Sequence, residues 1–286
     1  MNEETQEPIY DLLDDDIRLT LWPRHARIRL ERAAKKNAMS PMQHRAMHRI
    51  LDRIEEHEDT RVVVLTGTDN VFCGGMDLEK YFFDAYESPP RFRKNLRESH
   101  SWMRRYKSFP AVTLAKVNGL CVGGGLLMAA LSDLLVTADE ASFCLSEVNF
   151  GIFPSGGTTW GVANNLGSKQ ALYYMLTAER FDGPTAVSLG LANRTVPRDQ
   201  LDAEVDRVVA SICNKPLAAL QYTKQVYERV RTMTFPDAQQ FETAMLFDLS
   251  YSTKNEWIEK ALAQFRKRTF RPGVEAYDQG EEGSSD

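Results

Sequence analysis

Two glycine-rich segments carry the first chemical signal. "FCGGMD" (72–77) follows the apolar run "VVVLTG", and "NGLCVGGG" (118–125) follows the alternating run "AVTLAKV". In open α/β sheets, ligands bind beyond the carboxyl ends of the strands. Free backbone N–H groups at such places, above all at a helix N-terminus, hold an anion or a developing oxyanion. Two loops supplying one N–H each make a two-donor oxyanion hole. For either loop alone, tight turns and close helix–strand packing account for the glycines equally well. "GGG" is not G-x-G-x-x-G, and no G-K-[ST] follows, so dinucleotide and P-loop chemistry have little support.

Glu147 lies in "FCLSEVNFG", just after an expected strand and before "GIFPSGG". A carboxylate among Phe143, Leu145, Val148 and Phe150 has a raised pKa when buried, which suits proton transfer near neutral pH. On the residues alone, an exposed loop glutamate is the plainer reading. His44 and His48 stand at i, i+4, but Arg45 occupies the place where a metalloprotease helix needs Glu, and no third ligand is evident. Ser155 lacks the G-x-S-x-G frame of a nucleophile elbow. "LYYM" and "YTKQVY" read as core or interface.

These groups need elements to hold them. "IRLTL" and "ARIRL" alternate in period two and read as paired strands. "SPMQHRAMHRILDRIEE" reads as a helix with Ser40 at the N-cap, Pro41 at N1 and Gln43 closing a capping box. "RVVVLTG" has the unbroken apolar character of a strand covered on both faces. The following "TDNVFCGGMDLEKYF" reads as a loop, 91–107 as a helix, and "DLLVTAD" as a further strand. "ASFCLSEVNFGIFPSGG" reads as a short strand and loop. Strand and helix in alternation imply right-handed crossovers and a largely parallel sheet. From about residue 168 the periodicity is helical. No internal repeat is evident.

The bulk properties narrow the classes. The chain has 286 residues, 43% of them apolar, and a net charge of −5. That balance argues against a general nucleic-acid surface. The four cysteines show no C-x-x-C spacing and read as reduced thiols of a cytoplasmic protein. No run is apolar for eighteen residues, so no membrane span is expected. The acidic start "MNEETQEPIYDLLDDD" has no basic n-region and reads as a mobile segment rather than a signal peptide, as does the tail "DQGEEGSSD". The expected organisation is a mobile 1–16, a β/α core over 17–200, a helical region over 201–277 and a mobile 278–286.

Taken together, "KKNAMS", "LTGTDNVFCGGMDL", "KVNGLCVGGG", "SDLLVTADEASFCLSEVNFGIFPSGG" and "GLANRTVP" resemble the crotonase (enoyl-CoA hydratase/isomerase) superfamily over roughly 17–277. "KKNAMSP", "GMDLEKYF", "LSEVNFGI", "ALYYMLT" and "RPGVEAY" look like its hydroxycinnamoyl-CoA hydratase-lyase branch. The resemblance implies an α/β fold, a crotonase-type β/α spiral core with a C-terminal helical subdomain. It implies an acyl-CoA thioester substrate, no separate cofactor, no metal, and a homotrimer or dimer of trimers contacting through the C-terminal helices. Met76 and Gly124 match the positions whose backbone N–H groups hold the thioester oxygen as it becomes an enolate. Glu147 matches the acid that moves protons. Gly75, Asp77 and Leu78, with Lys36 and Ala38 of the "KKNA" loop, match the path of the CoA, and Lys35 or Lys36 would meet phosphate. Gly123 belongs to the same glycine wall. Tyr81 matches a tyrosine that contacts a phenolic hydroxyl in the lyase branch.

Two positions depart from the pattern. Ordinary hydratases carry a second glutamate where Leu127 stands, and the lyase branch carries serine there. The lyase branch has a second phenol-contacting tyrosine in a C-terminal helix, and an ungapped register from "RTMTF" puts Thr243 in its place, with Phe241 and Phe247 near. The expected reaction is hydration of an aryl-2-enoyl-CoA followed by retro-aldol cleavage to an aromatic aldehyde and acetyl-CoA. The alternatives are isomerisation or simple hydration of another acyl group and, more distantly, a non-catalytic RNA-binding relative.

Overall fold

A computed structural model describes residues 7–279. The chain forms two compact units, the first ending at Ala210 and the second beginning at Ser211. In the first unit a seven-stranded sheet runs in the order β1-β2-β3-β4-β6-β8-β10 and a three-stranded sheet in the order β5-β7-β9. The larger sheet holds β1 (Tyr10–Asp14), β2 (Ile17–Trp22), β3 (His25–Leu30), β4 (Val62–Gly67), β6 (Val112–Val117), β8 (Leu134–Ala138) and β10 (Arg194–Val196). From β3 onward its pairings are parallel. Every residue of β4 is buried, as a strand covered on both faces requires.

The smaller sheet arises from a repeated move. Each of β4, β6 and β8 ends in a short turn and feeds a short strand: β5 (Val71–Cys73), β7 (Leu120–Val122) and β9 (Ser142–Cys144). At the first two turns the backbones cross too closely for a side chain. A Cβ on Gly67 would lie 2.0 Å from the carbonyl of Val71, and one on Gly119 would lie 1.9 Å from that of Asn70. Asn118 braces the crossing by donating to Asp69 O at 2.7 Å and accepting from Gly67 N at 3.3 Å.

The expected capping box at α1 (Pro41–Glu55) is present, with Ser40 accepting from Met42 N and Gln43 accepting from Ser40 N. The N-terminus differs from the expectation of a mobile 1–16. Asp15 and Asp16 take positive φ (47° and 61°), the geometry of a tight hairpin turn, and fold "YDLLD" back on β2 as an antiparallel strand. The expectations for residues 1–6 and 280–286 lie outside the described residues. The segment read as a loop through Phe82 contains α2 (Leu78–Glu87), because the Asp77 carboxylate accepts from Lys80 N at 3.1 Å and caps it. A further helix, α5 (Thr158–Asn165), starts on Gly157 without a side-chain cap, so the sequence offers no start signal for it. α3 (Pro89–Lys107) and α4 (Gly124–Leu131) complete the frame of the site. The region from 168 is helical as expected, with α6 (Ser168–Thr177), α7 (Gly183–Ser188) and α8 (Leu201–Cys213) interrupted by β10. The second unit holds α9 (Leu217–Val230), α10 (Phe235–Ser252) and α11 (Glu256–Arg266). No helix among the described residues is long and apolar enough to cross a membrane.

Candidate active site

The three strands of the small sheet point their carboxyl ends at one place. Met76 follows β5 by three residues, Gly124 follows β7 by two, and Glu147 follows β9 by three. The parallel pairing of β5, β7 and β9 therefore brings together three positions far apart in the chain.

The backbone N–H groups of Met76 and Gly124 enter no hydrogen bond within the described structure. A Cβ built on Gly124 would lie 3.6 Å from Met76 N, and one on Gly75 would lie 3.4 Å from Gly124 N. The two amides border one small space that only glycine leaves open. The Gly124 amide also heads α4, where the helix macrodipole favours developing negative charge. The Met76 amide is aimed by a backbone template. Gly74 N donates to Lys36 O at 2.7 Å, Met39 N to Gly75 O at 2.8 Å and Asp77 N to Met39 O at 2.9 Å. The "KKNA" loop thus acts on the site through its backbone.

Glu147 is half-buried. Its Oε2 is buried without a partner among the described residues, and its Oε1 lies 3.1 Å from where a Cβ on Gly123 would stand. Burial raises its pKa above the ordinary carboxyl value. A proton carrier thus sits beside the glycine wall that ends in the Gly124 amide.

A cavity of about 520 Å³ opens over these groups. Its walls include Gly75, Met76, Leu78, Tyr81, Gly123 and Gly124, together with Leu127 and Glu147. The rest of the wall is mostly apolar and includes Phe82, Phe92, Leu96, Met103, Phe150 and Phe153. Such a lining suits an extended or aromatic acyl group. Leu127 leans toward α5, with its methyl carbons 3.8 Å from a Cβ position on Gly157. Among the described residues that line it, Glu147 is the one carboxylate.

Tyr81 is fully buried, and its hydroxyl has no hydrogen-bond partner among the described residues. Burial pushes its pKa up, and the Ser99 hydroxyl eases that shift without meeting hydrogen-bond geometry. Its ring stands edge-on to His44 at 5.7 Å. His44 is a core residue whose Nδ1 accepts from Trp102 Nε1 at 2.7 Å, and burial holds its pKa down to about 3. His48 approaches the carbonyl of Glu98 and stays outside the cavity wall.

Three expected site residues of the first unit, Lys36, Ala38 and Asp77, lie outside this wall. Lys36 is exposed, with a left-handed backbone (φ 53°), and Ala38 is half-buried, its carbonyl accepting from Arg32 at 2.9 Å. The carboxylate of Asp77 is committed to Arg32 at 2.7 Å and to capping α2. Thr243 lies on α10 in the second unit, exposed, with its hydroxyl donating to Gln239 O at 2.7 Å. Ser99 and His100 line the cavity although no motif singled them out. Their signal was the spacing of Leu96, Ser99, His100 and Met103 along one face of α3.

Comparison with known proteins gives this geometry a family. The enoyl-CoA hydratase/isomerase family model matches residues 25–271. The chain is 33% identical over 251 residues to the hydroxycinnamoyl-CoA hydratase-lyase of Pseudomonas fluorescens, covering 87% of this chain and 91% of that one. It is 26% identical over 254 residues to 4-chlorobenzoyl coenzyme A dehalogenase-2 of an Arthrobacter species, covering 88% and 91%. An enoyl-CoA hydratase crystal structure from Bacillus anthracis superposes with a TM-score of 0.81 at 24% identity, over 89% of this chain and 97% of the other. The chain belongs to the enoyl-CoA hydratase/isomerase family and has the crotonase fold.

Proposed function

We propose that this protein hydrates an aryl-2-enoyl-CoA of the 4-hydroxycinnamoyl or feruloyl type and then cleaves the β-hydroxy thioester to an aromatic aldehyde and acetyl-CoA. The observation that carries this reading is the pair of unused amides at Met76 and Gly124 beside a single raised-pKa carboxylate, Glu147. In the first half, water adds at Cβ, Glu147 takes a proton from that water, and the thioester oxygen carries the enolate charge between the two N–H groups. Glu147 then delivers that proton to Cα, which completes hydration and returns the carboxylate. In the second half, Glu147 removes the proton of the β-hydroxyl, the Cα–Cβ bond breaks to release the aldehyde, and the same amides hold the acetyl-CoA enolate until Glu147 returns that proton to its Cα. An oxyanion donor contributes about 2.7–4 kcal/mol to such a barrier. The 33% identity to a hydroxycinnamoyl-CoA hydratase-lyase supports the lyase outcome. Coenzyme A is part of the substrate, so the proposal needs no separate cofactor. A homotrimer or dimer of trimers is proposed as the working assembly.

Leu127, in place of a second carboxylate, favours one other reading: isomerisation of an enoyl-CoA by Glu147 alone. Mass spectrometry of products from a small panel of aryl and alkyl enoyl-CoAs decides between them. Aldehyde and acetyl-CoA support the lyase, whereas an intact acyl-CoA of unchanged or water-added mass overturns it.

A further inference from the structure

Leu96, Ser99, His100 and Met103 share one face of α3, and that face forms a wall of the acyl cavity. Leu96 and Met103 make it apolar, while Ser99 and His100 are polar groups set within it. Tyr81 lines the same cavity from α2, and its buried hydroxyl has no partner among the described residues. Neither ring nitrogen of His100 enters a hydrogen bond among the described residues. The loop after Glu147 passes close to the imidazole, with the Cβ position of Gly156 3.4 Å from His100 Nε2. Gly156 has φ +69°, so a glycine both permits the turn and leaves the imidazole room. The cavity wall therefore carries, on neighbouring helices, an imidazole and a tyrosine whose hydroxyl has no hydrogen-bond partner among the described residues.

We propose that His100 is a specificity-determining residue that accepts the proton of a phenolic hydroxyl on the acyl group, while Tyr81 donates to the oxygen of that hydroxyl. The proposal rests on the aryl-enoyl-CoA reading above and adds a residue to it. Partial burial and the nearby Arg104 lower the His100 pKa, which keeps the imidazole neutral and able to accept. A phenol both donates and accepts, so the chain Tyr81 O–H to phenol O–H to His100 satisfies every member. A methyl ether can still accept from Tyr81 but has nothing to donate to His100. A substrate without the oxygen leaves both groups unmatched, and a site with unpaired polar groups discriminates strongly. The expected order of preference is 4-hydroxy over 4-methoxy over unsubstituted cinnamoyl-CoA.

Two measurements test this. In the first, kcat/KM is compared for 4-hydroxy- and 4-methoxycinnamoyl-CoA in wild type, His100→Leu and His100→Gln. The hydroxy/methoxy ratio should fall by about 5- to 150-fold in His100→Leu. Part of it should return in His100→Gln, whose amide oxygen can accept. An unchanged ratio in His100→Leu, with aldehyde still formed, overturns the role of His100 and leaves the lyase reading intact. In the second, the absorption band of bound 4-hydroxycinnamoyl-CoA is recorded in Glu147→Gln with and without His100→Leu. Donation from the phenol should move the band to longer wavelength, and the second substitution should abolish that shift. The 4-methoxy thioester should show none. This arm requires no turnover, so it decides the role of His100 even if product analysis shows that the lyase reading fails. An equal shift with and without His100 would overturn the proposal.

Discussion

The Oε1 atom of Glu147 lies 3.1 Å from the Cβ position of Gly123, so the acid and the glycine wall are fitted to each other at contact distance. Gly123 has φ +51° and ψ −114°, a conformation outside the left-handed α region that L side chains rarely adopt, costing on the order of 1–3 kcal/mol. Gly123→Ala is expected to combine that strain with displacement of the carboxylate. Turnover should fall at least tenfold with folding retained. Circular dichroism and kcat on one preparation check this, and unchanged turnover would show that the carboxylate is not placed by this contact.

Glu147→Gln keeps size and hydrogen bonding but removes titration. General acid–base catalysis contributes about 10²- to 10⁴-fold, so kcat should fall by that much while thioester binding persists. A stability effect accompanies it. Burial raises the folded-state pKa of Glu147. The wild-type contribution is therefore present at low pH and lost as pH rises through that pKa. Glu147→Gln should accordingly gain melting temperature over wild type at pH 8 and show little difference at pH 4. Thermal melts at both pH values read the difference directly.

A side chain at Gly124 would occupy the space between the two amides, 3.6 Å from Met76 N. Gly124→Val should remove at least one oxyanion donor, costing about 2.7–4 kcal/mol of barrier. Steady-state kinetics on folded protein should show a loss of 10²-fold or more. Normal turnover would place the oxyanion hole elsewhere.

Tyr81→Phe should separate stability from selectivity. Its buried hydroxyl lacks a partner among the described residues, so removing it should raise the melting temperature. The same change should lower the kcat/KM preference for 4-hydroxycinnamoyl-CoA over cinnamoyl-CoA by about 5- to 150-fold, equivalent to about 1–3 kcal/mol. A preference equal to wild type would show that this pocket does not read a phenol.

His25 and His44 have pKa values lowered to about 4 and about 3, chiefly by burial. Their folded values lie below the ordinary 6.5, so the unfolded chain takes up protons first as pH falls. Stability should decline from about pH 6.5 downward, by up to about 1.4 kcal/mol per pH unit for each histidine. Urea midpoints at pH 7 and pH 5 measure the slope. His44→Gln retains an acceptor for Trp102 and should reduce the slope to about the share of His25; an equal slope in that variant would assign the acid sensitivity to other groups.

Much of the frame was legible in the chain itself. The unbroken apolar run of β4, the capping box at Ser40 and the glycines at 74–75 and 123–125 are local signals, because strand burial, helix starts and close backbone approach each demand particular residue types. Those stretches point to Met76, Gly124 and Glu147 as site residues only through their resemblance to the family. What local signals leave undetermined is what each face meets. The repeated passage from long strand to short strand leaves no sequence repeat, because segments of unequal length and composition follow β5, β7 and β9. Five histidines look alike in sequence. Tertiary packing buried His44 against Trp102 and set His100 on the cavity wall. Asp77 reads as a ligand-facing acid, but the fold brings Arg32 to it, and the charge is spent on holding the loop. Periodicity tells which side chains share a face of α3; only the sheet that delivers Tyr81 and Glu147 to the same cavity makes that face part of a site.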